Sequence, residues 1–207
     1  MRTLYSFIIE PIGDRYNNKK QIGDKELILN TEIFNHQYVN REAKVIALPK
    51  LLKTDINVGD IILVHHNVFR RWHNIRGEEK NSRSYIKNNL YAVNNDQIFA
   101  YKTSNKWKAL SGYCFIKPIR SDDKFNNNKE QPHVGIVKYI KANNIKDVNI
   151  GDLVGFIPDV EYEFIIDNQR LYRILTQHIT IKYEYQGQEE EYNPSWLQGG
   201  GRINKGS

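Results

Sequence analysis

The sequence predicts an all-β protein made of two tandem small β-barrels, and three observations lead to that prediction. Residues 55–61 (Asp-Ile-Asn-Val-Gly-Asp-Ile) recur as residues 147–153 (Asp-Val-Asn-Ile-Gly-Asp-Leu). Short alternating runs rich in β-branched and aromatic residues fill both halves, whereas no window combines a sustained helical period with a cap. Gly, Asn, Asp and Pro separate these runs, which is typical of sandwiches and barrels.

The repeat keeps a constant spacing around its Gly-Asp element. Gly59 and Gly151 are 92 positions apart, and the same offset maps Val45 onto Val137. In each copy the Gly can adopt positive φ and turn the chain, and the apolar run that follows starts a buried strand. The element therefore has a structural explanation rather than a catalytic one.

Two further landmarks flank this element. Residues 8–12 match residues 115–119 at an offset of 107, and residues 90–93 match residues 171–174 at an offset of 81. Four landmarks thus recur in the same order, which indicates two copies of a unit of about 90 residues.

The predicted strands follow in chain order from runs of apolar, β-branched or aromatic residues that end at turn residues. They are residues 4–9, 43–48, 60–65, 90–101, 113–119, 135–140, 152–157, 161–166, 171–175 and 178–185.

The unequal offsets show that the first copy carries two insertions. It has 107 − 92 = 15 extra residues before Val45 and 92 − 81 = 11 extra residues after its Gly-Asp turn. These fall in a long loop at 13–41 and in a hairpin at 65–89. Loops tolerate insertions and tend to carry function, so we expect functional contacts in these two segments.

These boundaries predict three parts of the chain. Residues 1–104 form the first barrel, residues 105–185 the second and shorter barrel, and residues 186–207 a flexible C-terminal arm. Trp196 and Leu197 are the expected anchoring point of that arm, on this chain or on a neighbour.

Composition predicts a soluble protein that stays where it is made. No apolar run is long enough to span a bilayer, and the N-terminus lacks the order of a secretory signal. Cys114 is the single cysteine, which excludes an intramolecular disulfide and indicates a reducing, cytoplasmic location.

The order of motifs resembles the GroES-type co-chaperonins. The second copy carries the resemblance in residues 135–137, 148–154 and 179–181. The first copy carries it in residues 8–11, 43–45 and 56–61. The resemblance covers most of residues 4–185, and its tandem layout is similar to the double-domain co-chaperonins of plastids. It implies two GroES-like barrels and a non-enzymatic role in assisting protein folding.

In that family a mobile loop after the first strand docks on the chaperonin through an apolar tripeptide. The resemblance implies that Leu27, Ile28 and Leu29 are this element, because they lie in the long loop of the first copy. A segment that orders on binding makes a reversible contact, as a lid requires. Residues 26–31 also fit an ordinary strand, and the sequence leaves both interpretations open.

Sites for metal or covalent chemistry are not predicted, and neither is a cofactor. Neighbouring strand residues point to opposite faces, so His65 and His66 should not chelate one ion, and no ligand set forms with His73. Cys114 lies in a predicted strand with no assigned base, so we expect a packed thiol.

A basic segment in the second insertion interleaves arginines with aromatic residues. Between positions 66 and 120 there are eleven Lys and Arg against three acidic residues. The candidate contact residues are Arg70, Arg71, Trp72, Arg76 and Arg83. Three interpretations stay open: a solvated hairpin, a protein interface with Arg and Trp anchors, and a nucleic-acid contact.

The leading hypothesis is therefore a co-chaperonin-like protein that self-associates into a ring and binds a chaperonin. The alternative is that the same barrels serve as a structural component of a viral particle, or virion, or of another large assembly.

Overall fold

The computed structural model describes residues 3–16, 19–22, 25–28, 39–121, 130–141, 145–184, 189–192 and 194. In these residues the chain forms β-strands and three short 3-10 turns, so the predicted all-β class is confirmed. None of the described segments is a helix with the length and apolarity needed to cross a membrane.

The chain divides into two compact units, Met1–Trp107 and Lys108–Ser207. The strands of the first are β1 (Phe7–Pro11), β2 (Lys19–Ile22), β3 (Lys25–Ile28), β4 (Glu42–Ala47), β5 (Ile61–Val64), β6 (Trp72–His73), β7 (Glu79–Lys80), β8 (Tyr85–Lys87), β9 (Leu90–Val93), β10 (Ile98–Thr103) and, across the boundary, β11 (Lys106–Ala109). The strands of the second are β12 (Tyr113–Arg120), β13 (Glu130–Ile140), β14 (Leu153–Phe156), β15 (Tyr162–Ile166), β16 (Gln169–Leu175) and β17 (Ile179–Tyr183).

The two main sheets have the same strand order. The first sheet runs β11-β10-β5-β4-β1-β9-β8, and the second, taken from its other edge, runs β17-β14-β13-β12-β16-β15. Apart from β11, each strand of the first sheet has a counterpart at the same place in the second, and the pairings are antiparallel. The two units are therefore copies of one topology.

The sequence offsets also reproduce the pairing register. In the first unit Ile9 lies opposite Val45 on β4 and opposite Tyr91 on β9. The residues 107, 92 and 81 positions further on pair in the same way, because Ile116 lies opposite Val137 and Tyr172. A register irregularity also falls at the same place in β1 and β12, just before these isoleucines.

The two Gly-Asp turns have the same hydrogen bonds at equivalent residues. Gly59 N donates to Val45 O at 2.8 Å, and Gly151 N donates to Val137 O at 2.8 Å. The two glycines have φ of 93° and 94°, a region that disfavours residues with a side chain. In both turns the Asp carboxylate accepts the N–H of the Asn three residues earlier, at 2.8 Å in the first and 2.7 Å in the second.

The cores occupy equivalent faces of the two sheets. In the second unit the main cluster consists of Cys114, Ile116, Val137, Ile140, Val154, Phe156, Tyr172 and Ile174. The residues at the equivalent positions of the first unit are buried as well. They include Phe7, Ile9, Val45, Ile62, Tyr91 and Val93. Burial raises the pKa of Cys114 to about 12, which agrees with a packed thiol.

One prediction about the strands needs correction, and a second stays a prediction. The predicted strand 90–101 is broken by a 3-10 turn at Asn95–Gln97, because the Gln97 side chain accepts the Asn94 N–H at 3.0 Å and stabilises the turn. No closed barrel is found among the described residues, so the GroES-like barrels stay a prediction.

Candidate docking site

The two ends of the long insertion of the first unit are held together at Tyr16, Val39 and Asn40, a region named here the neck. Tyr16 and Val39 form an antiparallel bridge, and both side chains are buried. Asn40 is also buried, and its side-chain amide donates to Ile12 O at 2.7 Å and to Asp14 O at 3.0 Å. These bonds and the Glu42 N–H, which the Asn40 Oδ1 accepts at 2.9 Å, satisfy the side chain of Asn40 and hold the two ends of the insertion together.

Within this insertion, β2 and β3 form a two-stranded antiparallel sheet. Leu27 lies opposite Lys20, and Ile28 lies opposite Lys19. Leu29, the third residue of the predicted docking tripeptide, lies outside the described residues. The strand interpretation of residues 26–31 therefore holds for the part that the structure describes.

The second insertion contains a hairpin formed by β6 and β7. Trp72 lies opposite Lys80 at its base, and the Asn74 side-chain oxygen accepts two backbone N–H bonds at its tip, from Arg76 and Glu78. Gly77 has φ of 75° and completes the turn. A local network of this kind explains why such a polar sequence forms an ordered hairpin.

The bases of the two insertions contact each other through Tyr16. Its hydroxyl accepts the Arg71 N–H at 2.8 Å, and the Arg71 guanidinium lies 4.9 Å from the centre of its ring. Arg15, beside it, donates to Phe69 O at 2.9 Å and to Asn81 Oδ1 at 2.7 Å. The neck of the first insertion therefore supports the start of the second.

The residues predicted to make contacts from the basic hairpin differ in their exposure and in the contacts that they already make within the chain. Arg71 is committed to Tyr16 and to Glu79, whose carboxylate is 3.0 Å away. Arg70 is only partly exposed. Trp72 is 46% exposed although its indole N–H donates to Asn81 O.

Arg76 and Arg83 are exposed on the same insertion. At the tip, the Ile75 side chain is fully exposed. The exposed surface of the second insertion therefore includes Trp72, Arg76 and Arg83, residue types that are enriched at the centres of protein interfaces, beside the exposed Ile75 and charged residues such as Glu78, Glu79 and Lys80.

The histidine pair is arranged differently from the sequence prediction. His66 starts a 3-10 turn rather than continuing a strand, so the two imidazole rings lie 4.2 Å apart instead of on opposite faces. The Nδ1 of His65 accepts the Asn67 N–H at 3.1 Å. Within the described part of the chain, no three His, Cys, Asp or Glu side chains are grouped as a metal site would need.

The second unit has a cavity of about 470 Å³ that the sequence did not indicate. Its lining is Glu130, Gln131, Pro132, His133, Phe156, Glu161, Arg170, Tyr172 and Tyr192. Glu130 accepts the Tyr172 hydroxyl at 2.6 Å and pairs with Arg170 at 2.9 Å. Burial first, and the bond to Glu130 second, raise the pKa of Tyr172. These side chains bond to one another, so they fix the cavity wall.

Part of the predicted C-terminal arm is paired with the second unit. Ile119 on β12 and Glu191 form an antiparallel bridge. Trp196 and Leu197, the predicted anchors, lie outside the described residues. A run of three glutamates was the available signal for this contact, since Glu190 pairs with Arg120 and Glu191 pairs with Lys138.

No protein-family model matches the chain, and no curated protein matches its sequence.

Proposed function

We propose that this protein is a non-enzymatic, co-chaperonin-like protein that assists protein folding by docking on a chaperonin. Leu27, Ile28 and Leu29 are the docking residues in this proposal. Two GroES-like units per chain assemble, with other copies, into a ring in the cytoplasm.

The observation that carries the proposal is the duplicated topology together with the insertion that follows β1 in the first unit. Both units share strand order, register and Gly-Asp turn, but a neck closed by Tyr16 and Val39 and pinned by Asn40 projects from the first unit after β1. In the sequence, the apolar tripeptide belongs to this insertion. A segment held at both ends and attached to a rigid sheet can present an apolar strand to a partner groove.

A pull-down with an intact chaperonin in the presence of ATP tests the proposal. The variant replaces Leu27, Ile28 and Leu29 with Ser. The matched control replaces three exposed apolar residues of the first unit that lie outside both insertions with Ser, namely Leu4, Leu51 and Val58. We expect the wild type and the control to be retained and the variant to be lost. Equal retention of all three proteins, or of none, removes the proposal.

A second candidate, a structural component of a viral particle or another large assembly, is favoured by one observation. Leu27 and Ile28 belong to a paired strand, β3, and an assembly protein would use such ordered hairpins for lateral contacts. The molar mass in solution distinguishes the two candidates. A discrete ring supports the co-chaperonin, and open-ended growth with concentration supports the assembly component.

A further inference from the structure

In the first unit, an aromatic ring from the second insertion covers Tyr91. Phe69 is fully buried and packs edge-on against Tyr91, with the ring centres 4.8 Å apart. It belongs to residues 65–84, which join β5 to β8. The space beside this tyrosine is therefore filled by the chain itself.

The second unit lacks that ring at the equivalent tyrosine. Tyr172 corresponds to Tyr91 at the offset of 81, and it lines the cavity of about 470 Å³. An arginine lies over each of the two rings, Arg15 at 5.5 Å from the first and Arg170 at 5.1 Å from the second. The two environments therefore share a cation and differ in the aromatic ring.

The shorter connection of the second unit explains the difference. Residues 157–161 join β14 to β15 and contain no aromatic residue. Val160 of this connection packs against the core cluster that includes Tyr172, and valine is smaller than phenylalanine. Sites for small molecules occupy roughly 300–1,000 Å³, so the cavity that is left can hold a ligand. Phe156 and Tyr192 add aromatic rings to its walls.

The charges in and beside the lining favour a cationic ligand. Arg170 is paired with Glu130 and with Glu163, at 2.9 Å each, so its charge is already balanced. Glu161 is different, because among the described residues it pairs with no lysine or arginine. Its Oε2 accepts the Val160 N–H at 3.0 Å, and its Oε1 lies 3.8 Å from His133 Nδ1, too far for a hydrogen bond. A carboxylate oxygen is thus left to accept from a ligand.

His133 presents a second acceptor at the same place. Its Nδ1 is buried, and in the part of the chain that the structure describes it has no hydrogen-bond partner. Its φ of 58° is uncommon for a residue with a side chain, and such strain is concentrated at functional sites. When the ring proton is on Nε2, His133 Nδ1 and Glu161 Oε1 can both accept from one ammonium group between them. The two side chains are 37% and 26% exposed, so a ligand can reach them.

We propose that this cavity binds a small arylalkyl ammonium compound. The aromatic ring of the ligand packs against Tyr172 in the place that Phe69 takes beside Tyr91, and its ammonium donates to Glu161 and His133. Such a group is offered by a free amine or by the amino-terminal phenylalanine of a peptide. This inference does not depend on chaperonin docking.

Isothermal titration calorimetry of the full-length protein with phenethylamine tests the proposal. We expect phenethylamine to bind at millimolar or lower concentration. Phenylpropanoate has the same ring with an anionic end, and we expect it to bind at least about tenfold more weakly, since it meets an unbalanced carboxylate. Phenylalanyl-glycine amide is the peptide arm. Binding as tight as that of phenethylamine assigns the site to peptide termini, and weaker binding assigns it to free amines.

Glu161→Gln should weaken phenethylamine binding by about tenfold, because it removes the charge from the main hydrogen bond. The matched control is Asp159→Asn, which removes a carboxylate from the same connection. Asp159 is exposed, lies outside the cavity lining and has a φ of 60°, which Asn tolerates, so we expect unchanged affinity. His133→Gly keeps the backbone conformation and should weaken binding several-fold.

Three results overturn the proposal. They are absent binding of phenethylamine, equal binding of phenethylamine and phenylpropanoate, and equal losses of affinity in Glu161→Gln and Asp159→Asn. Urea unfolding of each variant shows whether a loss of binding reflects the site or a loss of folding. If Glu161→Gln is unfolded, His133→Gly against Asp159→Asn applies the same comparison.

Discussion

Replacing the buried Lys117 by Met should stabilise the protein at neutral pH. Lys117 is fully buried on β12, and its ammonium donates a long bond of 3.4 Å to Arg170 O. Burial lowers its pKa from 10.5 to about 8, so the charged form is disfavoured in the folded state. Met keeps a similar length and removes the charge.

The size of the effect follows from the shift in pKa. Each pKa unit corresponds to 1.36 kcal/mol, so the buried charge destabilises the folded state by about 3 kcal/mol below pH 8. The variant also loses the hydrogen bond to Arg170 O, which reduces this gain in stability by about 1 kcal/mol. We therefore expect Lys117→Met to raise the free energy of unfolding by about 2 kcal/mol at pH 7.

The pH dependence has a defined sign. The folded protein loses the Lys117 proton near pH 8 and the unfolded chain near pH 10.5, so the unfolded chain binds more protons between these values. Wild-type stability therefore rises with pH in this window relative to the Met variant. We expect the difference between the two proteins to shrink by about 2 kcal/mol from pH 7 to pH 10.

Urea unfolding of both proteins at pH 7 and pH 10 measures this difference. Lys44→Met is the matched control, because Lys44 is an exposed lysine on β4 and its replacement should change stability by less than about 0.5 kcal/mol. The reasoning is refuted if Lys117→Met is less stable than the wild type at pH 7, or if the difference does not depend on pH.

Three further predictions concern the repeat and the basic hairpin. Gly59→Ala and Gly151→Ala should each lower the free energy of unfolding by a similar amount, about 1–2 kcal/mol, since both have φ near 93° and open space around the Cα; unequal losses in urea unfolding contradict the equivalence. Gly135→Ala should lower the free energy of unfolding by more than this, because its Cβ would lie 2.4 Å from a backbone oxygen of β12. A variant that melts at the same temperature as the wild type would contradict this. If the hairpin binds nucleic acid, replacing Arg76 and Arg83 by Gln should reduce salt-sensitive retention on an RNA or DNA column, whereas absent or salt-independent retention excludes that role.

The sequence was informative wherever the two copies could be compared. The offsets of 107, 92 and 81 anticipated which residues pair, because Ile9 and Ile116 occupy the same register in their sheets. Duplicated Gly-Asp turns fix the same chain reversal in both units, and therefore the same alternation of buried and exposed residues on the strands that follow.

Other features were harder to predict because they occur in only one of the two copies, so there were no equivalent residues to compare. The strand β2 is short and mostly polar, so its sequence has no apolar alternation to indicate a sheet, and the sequence left β3 open between a loop and a strand. Glu190 and Glu191 pair with Arg120 and Lys138, which are distant from them in sequence. His66 was misinterpreted because a local 3-10 turn overrode the strand periodicity.

The central claim is that one strand arrangement is used twice with the same register. Backbone nuclear Overhauser effects measured on the whole protein test it directly. The account predicts cross-strand contacts from Ile9 to Val45 and Tyr91, and matching contacts from Ile116 to Val137 and Tyr172. Contacts shifted by one residue in either unit, or helical sequential contacts along β1 or β12, would contradict it.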